Sequence, residues 1–131
     1  MQTILLVEND LAKLVARSLI LRCFGYTLLE ADSRGEAWRV CHNHGGPIHL
    51  ILTNATSGSS SSSQFVARLQ LLYPQIRALF LCDASLADLT AQQNMRCECA
   101  FLQEPFRVDV LADNIRGLLD RPRETRAASR S

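Results

Sequence analysis

The side chains able to do chemistry gather in five short polar stretches, each set at the end of an apolar run: Glu8-Asn9, Glu30, Thr53-Asn54, Cys82-Asp83 and Gln103-Glu104. Carboxylates such as Glu8 and Glu104 can hold a hard cation or carry a proton. Asn9 and Asn54 add neutral amide oxygens, and Cys82 adds a thiol. If the fold brings Glu8 and Glu104 face to face, two outcomes follow. They are two solvated or hydrogen-bonded carboxylates, or they form a rebuilt cation site with Asn9, Asn54 and a backbone carbonyl as further oxygen ligands. Asp10 is placed to cap the helix that follows it.

Other chemistries find little support. The run Cys41-His42-Asn43-His44 has no second ligand pair at zinc spacing, so it reads as the polar end of a helix. No Gly-rich loop follows the first apolar run, which counts against a nucleotide or flavin site. No Ser-His or Cys-His pairing stands out. Of the five cysteines, Cys23, Cys41 and Cys82 lie within apolar patterns and read as small core residues, while Cys97 and Cys99 share one face of a strand. Ile4–Val7 is too short for a signal-peptide core or a membrane span, and reduced thiols in a cytoplasmic protein are expected. Fourteen basic residues against thirteen acidic leave a net charge of +1, which gives no reason to expect nucleic-acid or membrane binding.

The elements that must position these residues alternate between short β-like runs and amphipathic stretches. Strands are expected at Ile4–Val7, Tyr26–Glu30, Ile48–Thr53, Ile76–Leu81 and Cys99–Gln103. Leu11, Leu14, Val15, Ser18, Leu19, Leu21 and Arg22 mark a first helix, stopped by Gly25. Asp32 or Ser33 caps a second helix from Arg34 to about Asn43, with Ala37, Trp38 and Cys41 inward. The run Ser57–Ser63 holds six serines and one glycine. It reads as a solvated loop whose last serines cap a third helix carrying Phe65, Val66, Leu69, Leu71 and Leu72. A more polar fourth helix spans Ala84 to about Met95, and a fifth runs from Val108 to Leu119. Five βα units with right-handed crossovers predict a doubly wound, three-layer α/β sandwich with a five-stranded parallel sheet. Its site lies at the C-terminal strand ends. One domain is expected over 1–120, and the Arg-rich 121–131 reads as a flexible tail.

In order and spacing, ILLVEND, EADSRGEAW, LILTNATSG and FLQEPF resemble the receiver (CheY-like) domain of two-component response regulators over about residues 3–120. The resemblance implies a flavodoxin-like fold with strand order 2-1-3-4-5. It also implies a phosphoacceptor aspartate after the third strand, an acid pair for magnesium, a phosphoryl-binding lysine and a Ser/Thr switch. Matched residue by residue, the acceptor position is Asn54 and the acid pair is Glu8 and Asn9. The switch position is Cys82, and the lysine is replaced by Glu104. Pro105 matches the family's cis-proline, with Phe106 as a core anchor beside it.

Those departures carry physical weight. An amide nitrogen lone pair is delocalised into its carbonyl, so Asn54 cannot supply the anionic oxygen that phosphoryl transfer needs. Two amides in place of acids weaken magnesium binding, and an acid at position 104 repels an incoming phosphoryl group. Asp83 lacks the partners to serve as a substitute acceptor. The expectation is a degenerate receiver, not an enzyme, with weak or absent magnesium and no other cofactor. It would act as a phosphorylation-independent module for a protein partner such as a histidine kinase or effector domain. The fourth helix, fifth strand and fifth helix are the expected docking face, with Leu86, Leu89, Arg107, Val110 and Arg116 as contacts and a two-fold homodimer as one outcome. The alternatives are a conventional phosphoacceptor whose aspartate is replaced in this chain alone, and a small flavodoxin-like ligand-binding domain.

Overall fold

The computed structural model describes residues 2–55, 61–82 and 99–120. In chain order these form β1 (Thr3–Val7), α1 (Leu11–Cys23), β2 (Thr27–Ala31), α2 (Arg34–His44), β3 (Leu50–Ala55), α3 (Ser61–Leu72), β4 (Arg77–Cys82), β5 (Cys99–Gln103) and α4 (Val108–Asp120). The expected helix at 84–95, the tail 121–131, and Asp83, Leu86, Leu89 and Cys97 lie outside the described residues.

The five strands form one sheet in the order β2-β1-β3-β4-β5, and every neighbouring pair is parallel. Parallel strands are covered on both faces, which is why β1 after Thr3 and β4 after Arg77 read as unbroken apolar runs. Alternate side chains feed two cores. Leu5, Ile51, Ala78 and Phe80 pack with Ala37, Cys41, Phe65, Val66 and Leu69 of α2 and α3. Ile4, Leu6, Leu50, Leu52, Leu79 and Leu81 pack on the other face with Leu21 of α1 and Leu111, Ile115 and Leu118 of α4.

Register then sets the site. Val7 lies opposite Ala31 and Thr53, Ala55 opposite Cys82, and Cys82 opposite Gln103, so the strands end along a common edge. Local signals fix the helices that leave it. The Asp10 carboxylate accepts the Lys13 N–H at 3.2 Å and starts α1. Gly25 follows it at φ +94°, a left-handed conformation that suits glycine. The Ser33 hydroxyl accepts the Glu36 N–H at 3.1 Å, and Glu36 in turn accepts the Asp32 N–H at 3.0 Å. At the far end, Arg77 donates to the last carbonyls of α4, Leu118 and Leu119.

Several expectations need correcting. α1 turns Leu14, Arg17, Ser18 and Leu21 inward, so Leu11, Val15 and Leu19 face solvent and Cys23 is exposed rather than core. The apolar residues of α1 fall on two faces, and apolarity alone does not choose between them. In α3, Phe65, Val66 and Leu69 are buried but Leu71 and Leu72 are exposed. Ser61, Ser62 and Ser63 belong to its first turn, and the residue before it, where a capping serine would stand, lies outside the described residues. β3 runs Leu50–Ala55, so Asn54 stands in the strand rather than after it.

Candidate functional site

At the common edge of β1, β3 and β5, three side chains from three strands or strand ends converge on one from a helix. Glu8 directly follows β1, Asn54 belongs to β3, Glu104 follows β5, and Arg17 comes from the inward face of α1. The Glu8 and Arg17 side chains retain 1% and 7% of their exposure, and that of Glu104 retains 19%. Burial this deep removes both charges of the Glu8–Arg17 pair from water, a state tolerated only when the charges are paired and hydrogen-bonded.

The charged groups are paired with one another. One Arg17 nitrogen, Nη1, donates to Oε1 of Glu8 and, at 3.2 Å, to Oδ1 of Asn54. Its neighbour Nη2 reaches Oε1 of Glu104 at 2.9 Å. The second Glu8 oxygen accepts the Asn54 amide at 2.9 Å and the Asp10 N–H at 3.0 Å. Lys13 lies 3.5 Å from Glu104 with half its side chain in solvent. The guanidinium lies 5.8 Å from the Phe106 ring centroid, within cation–π range. Two acids therefore meet two bases, and the planar fork of arginine bridges both carboxylates.

Main-chain bonds hold the frame. The Glu8 N–H donates to Ala31, and the Glu104 N–H donates to Cys82 at 2.7 Å. The Glu104–Pro105 peptide bond is cis. Ser62 donates to the carbonyl of Asn54 and accepts from Arg34 at 3.1 Å, tying α2 and α3 to β3. Beside this frame lies a pocket of about 350 Å³ lined by Val7, Asn9, Asp32, Ser33, Arg34, Thr53 and Asn54. Asn9 is exposed and lines the wall of this pocket together with Asn54. Cys82 is fully buried at the end of β4, with its Sγ 3.6 Å from the Leu102 carbonyl. Among the described residues no group of three or more His, Cys, Asp or Glu side chains comes together as a metal cluster.

Of the residues read from sequence as one pocket, Glu8, Asn54 and Glu104 meet around a common guanidinium, while Asn9 stands on the wall of the neighbouring pocket. Arg17, which joins them, was not among them. Its signal is a charged residue three after Leu14 and four before Leu21, on the phase that the strand-end acids require.

The chain superposes on a response regulator from Thermotoga maritima with a TM-score of 0.75 at 17% identity, covering 92% of this chain and 99% of that one. A response regulator receiver domain protein from Clostridium thermocellum gives 0.74 at 17% identity, covering 92% and 95%. The fold is that of a receiver domain. The receiver domain of the hybrid histidine kinase CckA matches with a TM-score of 0.70 at 20% identity, covering 90% of this chain and 99% of that one. In sequence, the chain is 26% identical over 123 residues to the sensor kinase CckA of Brucella abortus (strain 2308). That match covers 91% of the chain but spans 13% of the kinase's length. No family model matches. Among the described residues, no helix of this receiver fold is long and apolar enough to cross a membrane.

Proposed function

We propose that this receiver fold serves two-component signalling as a phosphorylation-independent interaction module. The observation that carries the reading is Asn54. At the position matched to the acceptor stands an amide whose oxygen and nitrogen are both engaged, by Arg17 and by Glu8. An amide held this way offers no anionic oxygen to a phosphoryl donor. Glu104, matched to the phosphoryl-binding lysine, is an acid bound to Arg17. An acceptor lost in this chain alone would leave the rest of a receiver pocket around it, and Glu104 and Arg17 speak against that.

The partner we propose is of the kinase type, by analogy with the sensor kinase whose segment the chain resembles. The expected docking face rests partly on 84–95. Its described contacts are modest: Arg107 is ion-paired to Asp109 at 2.9 Å, and Val110 is half-buried. By contrast, α1 offers Leu11, Val15 and Leu19 to solvent at 72%, 53% and 61% exposure, spaced four apart along one stripe. A stripe of this kind suits the apolar face of a partner helix. We therefore place docking on α1. The two-fold dimer remains a proposal that gel filtration at varied concentration tests.

Intact-mass spectrometry after incubation with acetyl phosphate and Mg²⁺ tests the reading. The mass stays unchanged; a stoichiometric phosphoryl adduct on the wild-type chain overturns it.

A further inference from the structure

We infer that Arg17 is a tethered internal cation standing where a divalent ion would have to bind, so that this pocket assembles without metal. The inference rests on reading the strand-end cluster as a diverged receiver site. A magnesium ion drawing on the oxygens of Glu8, Asn54 and Glu104 would hold them at about 2.0–2.1 Å, in near-octahedral order with several waters. Those oxygens are spoken for. Nη1 of Arg17 lies against Glu8 Oε1 and Asn54 Oδ1, and Nη2 against Glu104 Oε1. An ion drawing on all three would have to occupy the volume of the guanidinium, and its positive charge would be repelled by any guanidinium left nearby.

The arginine is also held too firmly to yield. Its side chain is 7% exposed, and its head lies over Phe106. Its helix is anchored by fully buried Leu21 and capped by Asp10. Being part of the chain, it competes for these oxygens without any cost of association. Glu104 and Arg17 thereby become two halves of one change. The acid at position 104, unfavourable for a phosphoryl group, is the second anchor for the guanidinium. Restoring a carboxylate at position 54 would hand Arg17 another anionic partner rather than open an ion site.

Thermal unfolding with Mg²⁺ or EDTA, at matched ionic strength, tests this on the wild-type chain, Arg17→Ala and Asn54→Asp. A ligand that binds the folded state alone raises the melting temperature. Mg²⁺ should leave wild type and Asn54→Asp unmoved and raise Arg17→Ala by roughly 5 °C at about ten times its Kd. A comparable Mg²⁺ response in the wild type or in Asn54→Asp overturns the inference, as does a folded Arg17→Ala that ignores the ion. If Arg17→Ala folds only with Mg²⁺, recovery of its circular dichroism is the expected result in another form. If it folds under neither condition, Asn54→Asp decides: no Mg²⁺ response supports the inference and a response overturns it. A phosphoryl adduct on the wild type would sink the phosphorylation-independent reading, whereas a metal-dependent melting temperature without an adduct would sink only the tethered-cation inference.

Discussion

At the scale of single residues, Glu8 and Arg17 are interdependent because neither charge can return to water. Removing one partner of a buried pair typically costs about 3–5 kcal/mol, since the other charge is left uncompensated. Arg17→Ala should lose that much in urea unfolding. Arg17→Lys should lose less, because an ammonium keeps the charge but cannot bridge both carboxylates. Glu8→Gln should cost more than Glu104→Gln, because Glu8 is nearly inaccessible while Glu104 keeps contact with solvent and with Lys13. Equal losses would contradict the ranking. The sequence made Glu8, Asn54 and Glu104 visible as a group because each ends an apolar run. Arg17 was hidden because a single arginine in a helix ordinarily reads as solvated surface. What internalises it is the pair of acids on β1 and β5, which lie far from it along the chain.

At the scale of elements, α1 poses the harder problem for sequence reading. Leu14 and Leu21 compete with Leu11, Val15 and Leu19 for the inward direction, and both sets recur at helical spacing. The choice is made by the sheet: Leu21 fits among Ile4, Leu6, Leu50 and Leu52, and that phase carries Arg17 to the acids. Leu21→Ala should therefore cost about 2–5 kcal/mol, the usual range for a buried leucine, whereas Leu19→Ala should stay within about 0.5 kcal/mol. Denaturant midpoints distinguish them, and the reverse order would refute this phase. Thiol chemistry reports the same geometry. Cys23 is exposed at the end of α1, while burial pushes the Cys41 thiol up to about 11. In the native protein at pH 8, iodoacetamide should alkylate Cys23 readily and leave Cys41 intact, as peptide mapping would record. Two caps, by contrast, were legible from local sequence, the second as a choice between Asp32 and Ser33. Asp10 and Ser33 each bond a backbone N–H three residues on, and Gly25 follows α1 in the left-handed conformation.

At the scale of the whole molecule, topology followed from alternation. Apolar runs separated by helical stretches leave a parallel sheet with covered faces as the consistent arrangement, and every strand pair is parallel, while the order β2-β1-β3-β4-β5 is the one the family resemblance implied. Strand-end chemistry was legible for the same reason, since parallel strands in register deliver their ends to one edge. The orientation of exposed faces was not legible, because it depends on how each helix rolls on the sheet. The α1 stripe leads to a prediction at this scale. Leu19→Glu should weaken binding to a kinase-type partner at least about tenfold, while Arg116→Ala on α4 changes it little, with titration calorimetry as the readout. Unchanged affinity for Leu19→Glu would move the docking face elsewhere.

The most direct test is a crystal structure of the wild-type chain grown with Mg²⁺ and fluoroberyllate, a mimic of a bound phosphoryl group. Density for the Arg17 guanidinium between Glu8 and Glu104, with neither ion beside Asn54, is the predicted result. A divalent ion and fluoroberyllate seated together among those side chains, with Arg17 displaced, would contradict the account.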